Sequence, residues 1–200
     1  MFEKYILGDI MEIKYTKKEL QDMESAISKF YDKNDLNYFK SNYVDPILIA
    51  KKLGFSVYSI RLGNRIDGLI GVDDKPLLGT ESNRVIIVNK DAKSSQFKRF
   101  IIAHELAHYI DSEGAKSFAF RDSFSQIRCE HEQKMDYYAA AILMPINSIL
   151  EDIEVIEKVN NQSGEKTSDS LIIGLISEKY DVSEVMAERR LHEARTYNGQ

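Results

Sequence analysis

The sequence has one cysteine, Cys129, among 200 residues, so no intrachain disulfide can form and a reducing compartment fits. It also lacks any run approaching the ~20 apolar residues needed to cross a bilayer. Its first stretch, MFEKYILGDIMEIKY, is broken by Glu3, Lys4, Asp9, Glu12 and Lys14 and carries no continuous apolar core of a secretory signal. These absences lead to the expectation of a cytoplasmic protein. An excess of positive charge is missing too: the formal net charge of -5 argues against capture of DNA or RNA by charge alone. There is no internal repeat and no low-complexity tract. What is present, 43% hydrophobic and 30% charged residues, describes an ordinary globular chain, long enough for one cored domain with or without a small helical appendage.

Hydrophobic spacing divides the chain into elements. Leu20, Met23, Ile27 and Phe30 recur at the 3-4 spacing of an amphipathic helix over Lys17 to Tyr31. Asp45-Pro46 opens a short helix through Leu53, with Asp as N-cap, Pro in the first turn and Gly54 as the stop. The period then changes. FSVYSIRL from Phe55, Gly68 to Val72 and RVIIVN from Arg84 to Asn89 read as three short strands, and their succession suggests a small antiparallel meander. The segment Gly114 to Arg128 shows no clear period and reads as a loop or partial hairpin.

Between the third strand and that segment lies IIAHELAHYI, Ile101 to Ile110. On a helix, residues four apart stack on one face, so the imidazoles of His104 and His108 can reach one ion while Glu105 points about a quarter-turn away. Two neutral histidines and a glutamate in this H-E-x-x-H spacing suit Zn²⁺ and the handling of a proton from water. The bland alternative is a pair of histidines packed in a core, so the context must carry the pattern. Half of the four histidines fall in this decad. The helix is also apolar on both sides, through Phe97 and Ile101 on one and Ile102, Leu106 and Tyr109 on the other, which predicts burial between the sheet and another element.

CEHEQKMDYYAAAIL, from Cys129 to Leu143, supplies that element as a second helix. Glu132, Asp136, Ala140 and Leu143 fall on one face. If that face meets the two histidines, Glu132 becomes the third metal ligand and Asp136 accepts the outer N–H of a ligating imidazole. Ala139-Ala140-Ala141 lets the two helices approach closely. The competing reading is an exposed acidic face. Cys129 reads as an inert small residue.

RVIIVN, FKRFIIAHELAHYI and E-x-x-x-D-Y-Y-A-A-A-I-L-M-P ending at Pro145 together resemble the ImmA/IrrE family of bacterial metallo-endopeptidases, over roughly Asp45 to Pro145. The resemblance implies that His104, His108 and Glu132 hold zinc and that Glu105 is the general base. It further implies a specific protein substrate, a helix-turn-helix transcriptional repressor, cleaved to derepress a mobile element or a stress response. Two positions depart from the family pattern: many members have Glu where this chain has Lys134, and Asn where it has Asp136. Lys134 lies off the Glu132/Asp136 face, so Glu132 stays the expected ligand, with His131 next and needing a helix rotation of about 100°. For a donor to the developing oxyanion, Tyr109, Arg121, His131 and Tyr137 all stand open.

Pro145 begins a further helix through about Ile156, and KVNNQSGEKTSD reads as a polar linker. Ser170 to Lys179 and Ser183 to Arg195 read as two helices across a tight turn, which raises the question of a DNA-binding helix-turn-helix. The second of them alternates Glu184, Glu188 and Glu193 with Arg189, Arg190 and Arg195, presents no basic stripe, and argues against direct DNA binding. His192 reads as a surface residue. The expectation is therefore an α+β fold, a small three-stranded antiparallel sheet packed on a central zinc-binding helix in a minimal zincin-like arrangement, with additional C-terminal helices. The domains are expected at 1–156 (metallopeptidase) and 157–200 (helical appendage). The expected function is a zinc metallo-endopeptidase; its rival is a non-catalytic module that binds a repressor through a degenerate or structural metal site.

Overall fold

The computed structural model describes residues 15–37, 43–63, 66–73, 75–76, 81–113, 118–122, 130–162, 164 and 166–199. Among them no helix is long and apolar enough to cross a membrane. The chain divides into two compact units, Ile27–Leu143 and a second formed by Met1–Ala26 with Met144–Gln200.

Helix α1 (Lys17–Lys33) begins with a reciprocal cap: Thr16 N donates to Glu19 Oε2 at 2.7 Å and Glu19 N donates to Thr16 Oγ1 at 3.3 Å. Its expected stripe of Leu20, Met23, Ile27 and Phe30 is buried. Helix α2 (Pro46–Lys52) follows its sequence signals, with Asp45 Oδ1 accepting from Ile47 N at 2.9 Å, Pro46 in the first turn and Gly54 at φ 82° closing the end.

The Ile27–Leu143 unit carries a mixed four-stranded sheet of β1 (Ser56–Ile60), β2 (Gly68–Val72), β3 (Arg84–Asn89) and β4 (Phe118–Asp122), in the order β1-β3-β2-β4. The expected three-stranded antiparallel meander is thus corrected in two ways. β3 inserts between β1 and β2 and pairs with β1 in parallel, from Ser56↔Val85 to Ile60↔Asn89, while β2 pairs antiparallel with both β3 and β4. Burial explains the order. Val85 to Val88 form a continuous apolar run and are all buried, which suits a strand covered on both faces, whereas Tyr58 and Ile60 of β1 are exposed and suit an edge. The fourth strand comes from the middle of the segment expected to be a loop or partial hairpin. Residues 114–117 and 123–129 of that segment, Cys129 included, lie outside the described residues.

Helix α3 (Ser95–Asp111) starts at Ser94, whose hydroxyl accepts from Phe97 N, and buries every residue from Ile101 to Ile110. It packs on β2 and β3 on one side and on α4 (Glu130–Leu143) on the other. Ala139, Ala140 and Ala141 are buried and leave no bulk to hold the two helices apart. This is the expected α+β, minimal zincin-like arrangement.

The other unit contains α5 (Ile146–Gln162), α6 (Asp169–Tyr180) and α7 (Glu184–Asn198). Helix α5 runs on to Gln162, six residues beyond the expected end, so the polar connection is shorter than KVNNQSGEKTSD. Ser168 and Ser183 cap α6 and α7, and Asp181 turns the chain between them at φ 49°. Arg190 is completely buried: Nε donates to Met144 O at 2.8 Å, Nη1 to Glu193 Oε2 at 3.1 Å and Nη2 to Glu24 Oε1 at 2.7 Å. Arg189 pairs with Glu193, and Arg195 with Asp169.

Candidate metal centre

The 3.6-residue helical period sets His104 above His108 on α3, with ring centroids 5.0 Å apart. Both are buried, and α4 closes over them. Its face of Glu132 and Asp136 is the one that arrives. Glu132 Oε2 lies 3.1 Å from His104 Nε2 and 3.6 Å from His108 Nε2. Asp136 Oδ1 accepts from His104 Nδ1 at 3.0 Å, which turns the Nε2 of that ring toward Glu132.

One donor atom each from His104, His108 and Glu132 falls within a group no wider than 4.8 Å, which could hold a metal ion. The separations have the right scale. Donors about 2.0–2.2 Å from a tetrahedral ion are separated from one another by roughly 3.3–3.5 Å. Two imidazoles and one carboxylate are also a donor set that leaves a fourth position open.

Electrostatics point the same way. Burial alone would discharge His104, yet its hydrogen bonds with Asp136 and Glu132 overcome that and push its pKa up to about 10. The histidines hold the Glu132 carboxyl well below the usual range, against its partial burial. Two carboxylates thus converge on one buried imidazole and favour positive charge beside it.

Glu105 is completely buried on the sheet side of α3. Gly68 of β2 is its wall: a Cβ built there would stand 2.5 Å from both Glu105 Oε1 and Ile101 Cγ2. Backbone has to run where a side chain does not fit, so glycine at this position sets the seat of the carboxylate. The sequence alone marks Gly68 only as the start of a strand.

The four open candidates for an oxyanion donor separate. Tyr109 is buried away from the centre, edge-on to Phe30 and Phe55, and its hydroxyl accepts from Arg84. Tyr137 is completely buried beside Tyr138. Arg121 has its side chain outside the described residues. His131 lies beside the centre, its ring 5.6 Å from that of His108 and its Nδ1 3.5 Å from Glu132 Oε1. His192 is exposed, as expected.

A family model described as the IrrE N-terminal-like domain, of the M78 peptidases, matches residues 50–192. The chain belongs to this family. The match covers α3 and α4 with all of the converging residues, and extends through most of α7. No curated protein matches the chain. Membership in the IrrE-like metallopeptidases gives the cluster on α3 and α4 its chemical context, a metal acting on a peptide bond.

Proposed function

We propose that this IrrE-like chain is a zinc-dependent metallo-endopeptidase, with His104, His108 and Glu132 as metal ligands, Glu105 as general base and Asp136 fixing the His104 tautomer. The observation that carries this reading is the convergence of the three donor atoms, with Glu105 seated one residue from His104 on the same buried helix. When bound, zinc acidifies water to a pKa near 7 and polarises the scissile carbonyl. Glu105 takes the proton of the attacking water and returns it to the leaving amine. Asp136 keeps the proton of His104 on Nδ1, so that Nε2 presents a lone pair.

An extended peptide adds to an exposed sheet edge through main-chain hydrogen bonds. In the order β1-β3-β2-β4, the edge strand β4 is the neighbour of β2, the strand whose Gly68 abuts Glu105, while β1 lies two strands from β2. That position favours β4 as the substrate edge. The substrate we propose is a helix-turn-helix repressor, on the family resemblance, cleaved in the cytoplasm to derepress a mobile element or stress response. Direct DNA binding has little support, since Arg189, Arg190 and Arg195 are all engaged in ion pairs within their own unit.

The test is cleavage of a helix-turn-helix repressor encoded beside this chain's gene. Glu105→Gln is expected to retain zinc and to lose about 10²–10⁴-fold in cleavage rate. Unchanged cleavage by that variant would falsify the mechanism, and a zinc-loaded wild type that binds the repressor without cutting it would favour a binding module.

A further inference from the structure

The third donor of the metal centre sits in a vulnerable place. Glu132 is the third residue of α4, in a first turn whose backbone N–H groups have no partners within the helix. A ligand there is well placed only if something else holds the turn. His131, just before it, and Lys134, two positions after it, both reach one carboxylate on the other helix. Lys134 Nζ donates to Asp111 Oδ1 at 2.7 Å, and His131 Nε2 donates to Asp111 Oδ2 at 3.1 Å. Lys134 is fixed from a second side, with its Nζ 5.3 Å from the centroid of the Tyr138 ring one turn along.

Asp111 is the last residue of α3, three positions after His108. A carboxylate at a helix C-terminus opposes the macrodipole, so this position does not serve α3 itself. Facing the N-terminal turn of α4, the same charge is favourable. The Asp111 carboxyl, despite burial that would raise it, is held below the usual range by Lys134 and His131.

We propose that Asp111 and Lys134 form a clamp that locks the first turn of α4 to the end of α3 and so positions Glu132 for the metal. The clamp rests on the zinc reading given above. It makes Asp111 and Lys134 positioning residues, which act on the metal only through Glu132.

The test is zinc affinity of the full chain, stripped with a chelator and titrated against a fluorescent zinc indicator. Asp111→Ala and Lys134→Met are each expected to weaken zinc binding by about 10-fold or more, the scale of outer-shell effects. Their combination is expected to bind zinc about as weakly as Asp111→Ala alone, because that variant already loses the Lys134 pair together with the His131 contact. The reversed pair, Asp111→Lys with Lys134→Asp, is expected to regain most of the affinity. Unchanged affinity in both single variants, or additive losses in the double, overturns the clamp. If Asp111→Ala fails to fold by circular dichroism, Lys134→Met and Lys134→Glu carry the test. Glu132→Ala run in parallel separates the failures: a clamp that fails while Glu132→Ala weakens zinc falls alone, whereas unchanged affinity in Glu132→Ala removes the metal reading and the clamp with it.

Discussion

A methyl group at position 68 would press on the Glu105 carboxylate and on Ile101 at once. Gly68→Ala is therefore expected to keep its zinc yet lose about 100-fold in kcat, since misplacing a catalytic group by about 1 Å costs on that order. Zinc content and steady-state kinetics on the cleaved repressor check it. A second prediction concerns protons. In the metal-free protein the folded pKa of His104, about 10, exceeds its unfolded value near 6.5, so its contribution to stability is complete below pH 6.5 and is lost as pH rises through 10. Glu132 is shifted the other way, and its contribution is present above its ordinary value near 4.5 and lost as pH falls. The thermal midpoint of the chelated wild type should then drop between pH 6.5 and 10, and that of chelated His104→Ala should be flatter over the same window. At this scale much of the cluster was legible. His104, Glu105 and His108 follow from spacing, and Glu132 and Asp136 from a shared helical face. Gly68 and Asp111 were not legible, because their importance lies in contacts with residues 37 and 23 positions away, which no local pattern records.

Among the elements, α3 and α4 carry the argument, because their close approach brings a carboxylate face onto two histidines. Ala140 shares that face and is buried. Ala140→Leu is expected to overpack the seam, destabilise the fold by about 1–3 kcal/mol and weaken zinc binding in step; urea unfolding with and without zinc measures both. The helices were readable because amphipathic spacing and caps such as Asp45, Ser183 and the alanine run are local signals. The sheet order was not. Consecutive strands are neighbours only about two-thirds of the time, and here the fully buried run Val85 to Val88 belongs in the centre, which displaces the chain-order meander. The fourth strand was hidden for a related reason: a strand docked on an existing edge draws its stability from that ladder and needs little periodicity of its own.

For the molecule as a whole, the family match runs through α5 and α6 and into α7, to residue 192. Arg190, in the helix that raised the question of DNA binding, is the buried hub of its unit. Arg190→Ala is expected to cost about 3–5 kcal/mol, because it leaves Glu24 and Glu193 without their shared cation in a buried setting; chemical denaturation of the full chain reads this directly. The central claim, a zinc ion held by two histidines and a glutamate, is tested most directly by X-ray absorption at the zinc edge of the zinc-loaded full chain. The expected spectrum has a first shell of nitrogen and oxygen at about 2.0–2.2 Å with the outer scattering of two imidazoles, unchanged in Glu105→Gln and altered in Glu132→Ala. A sulfur shell near 2.3 Å, fewer than two imidazoles, or a spectrum indifferent to Glu132→Ala would contradict it.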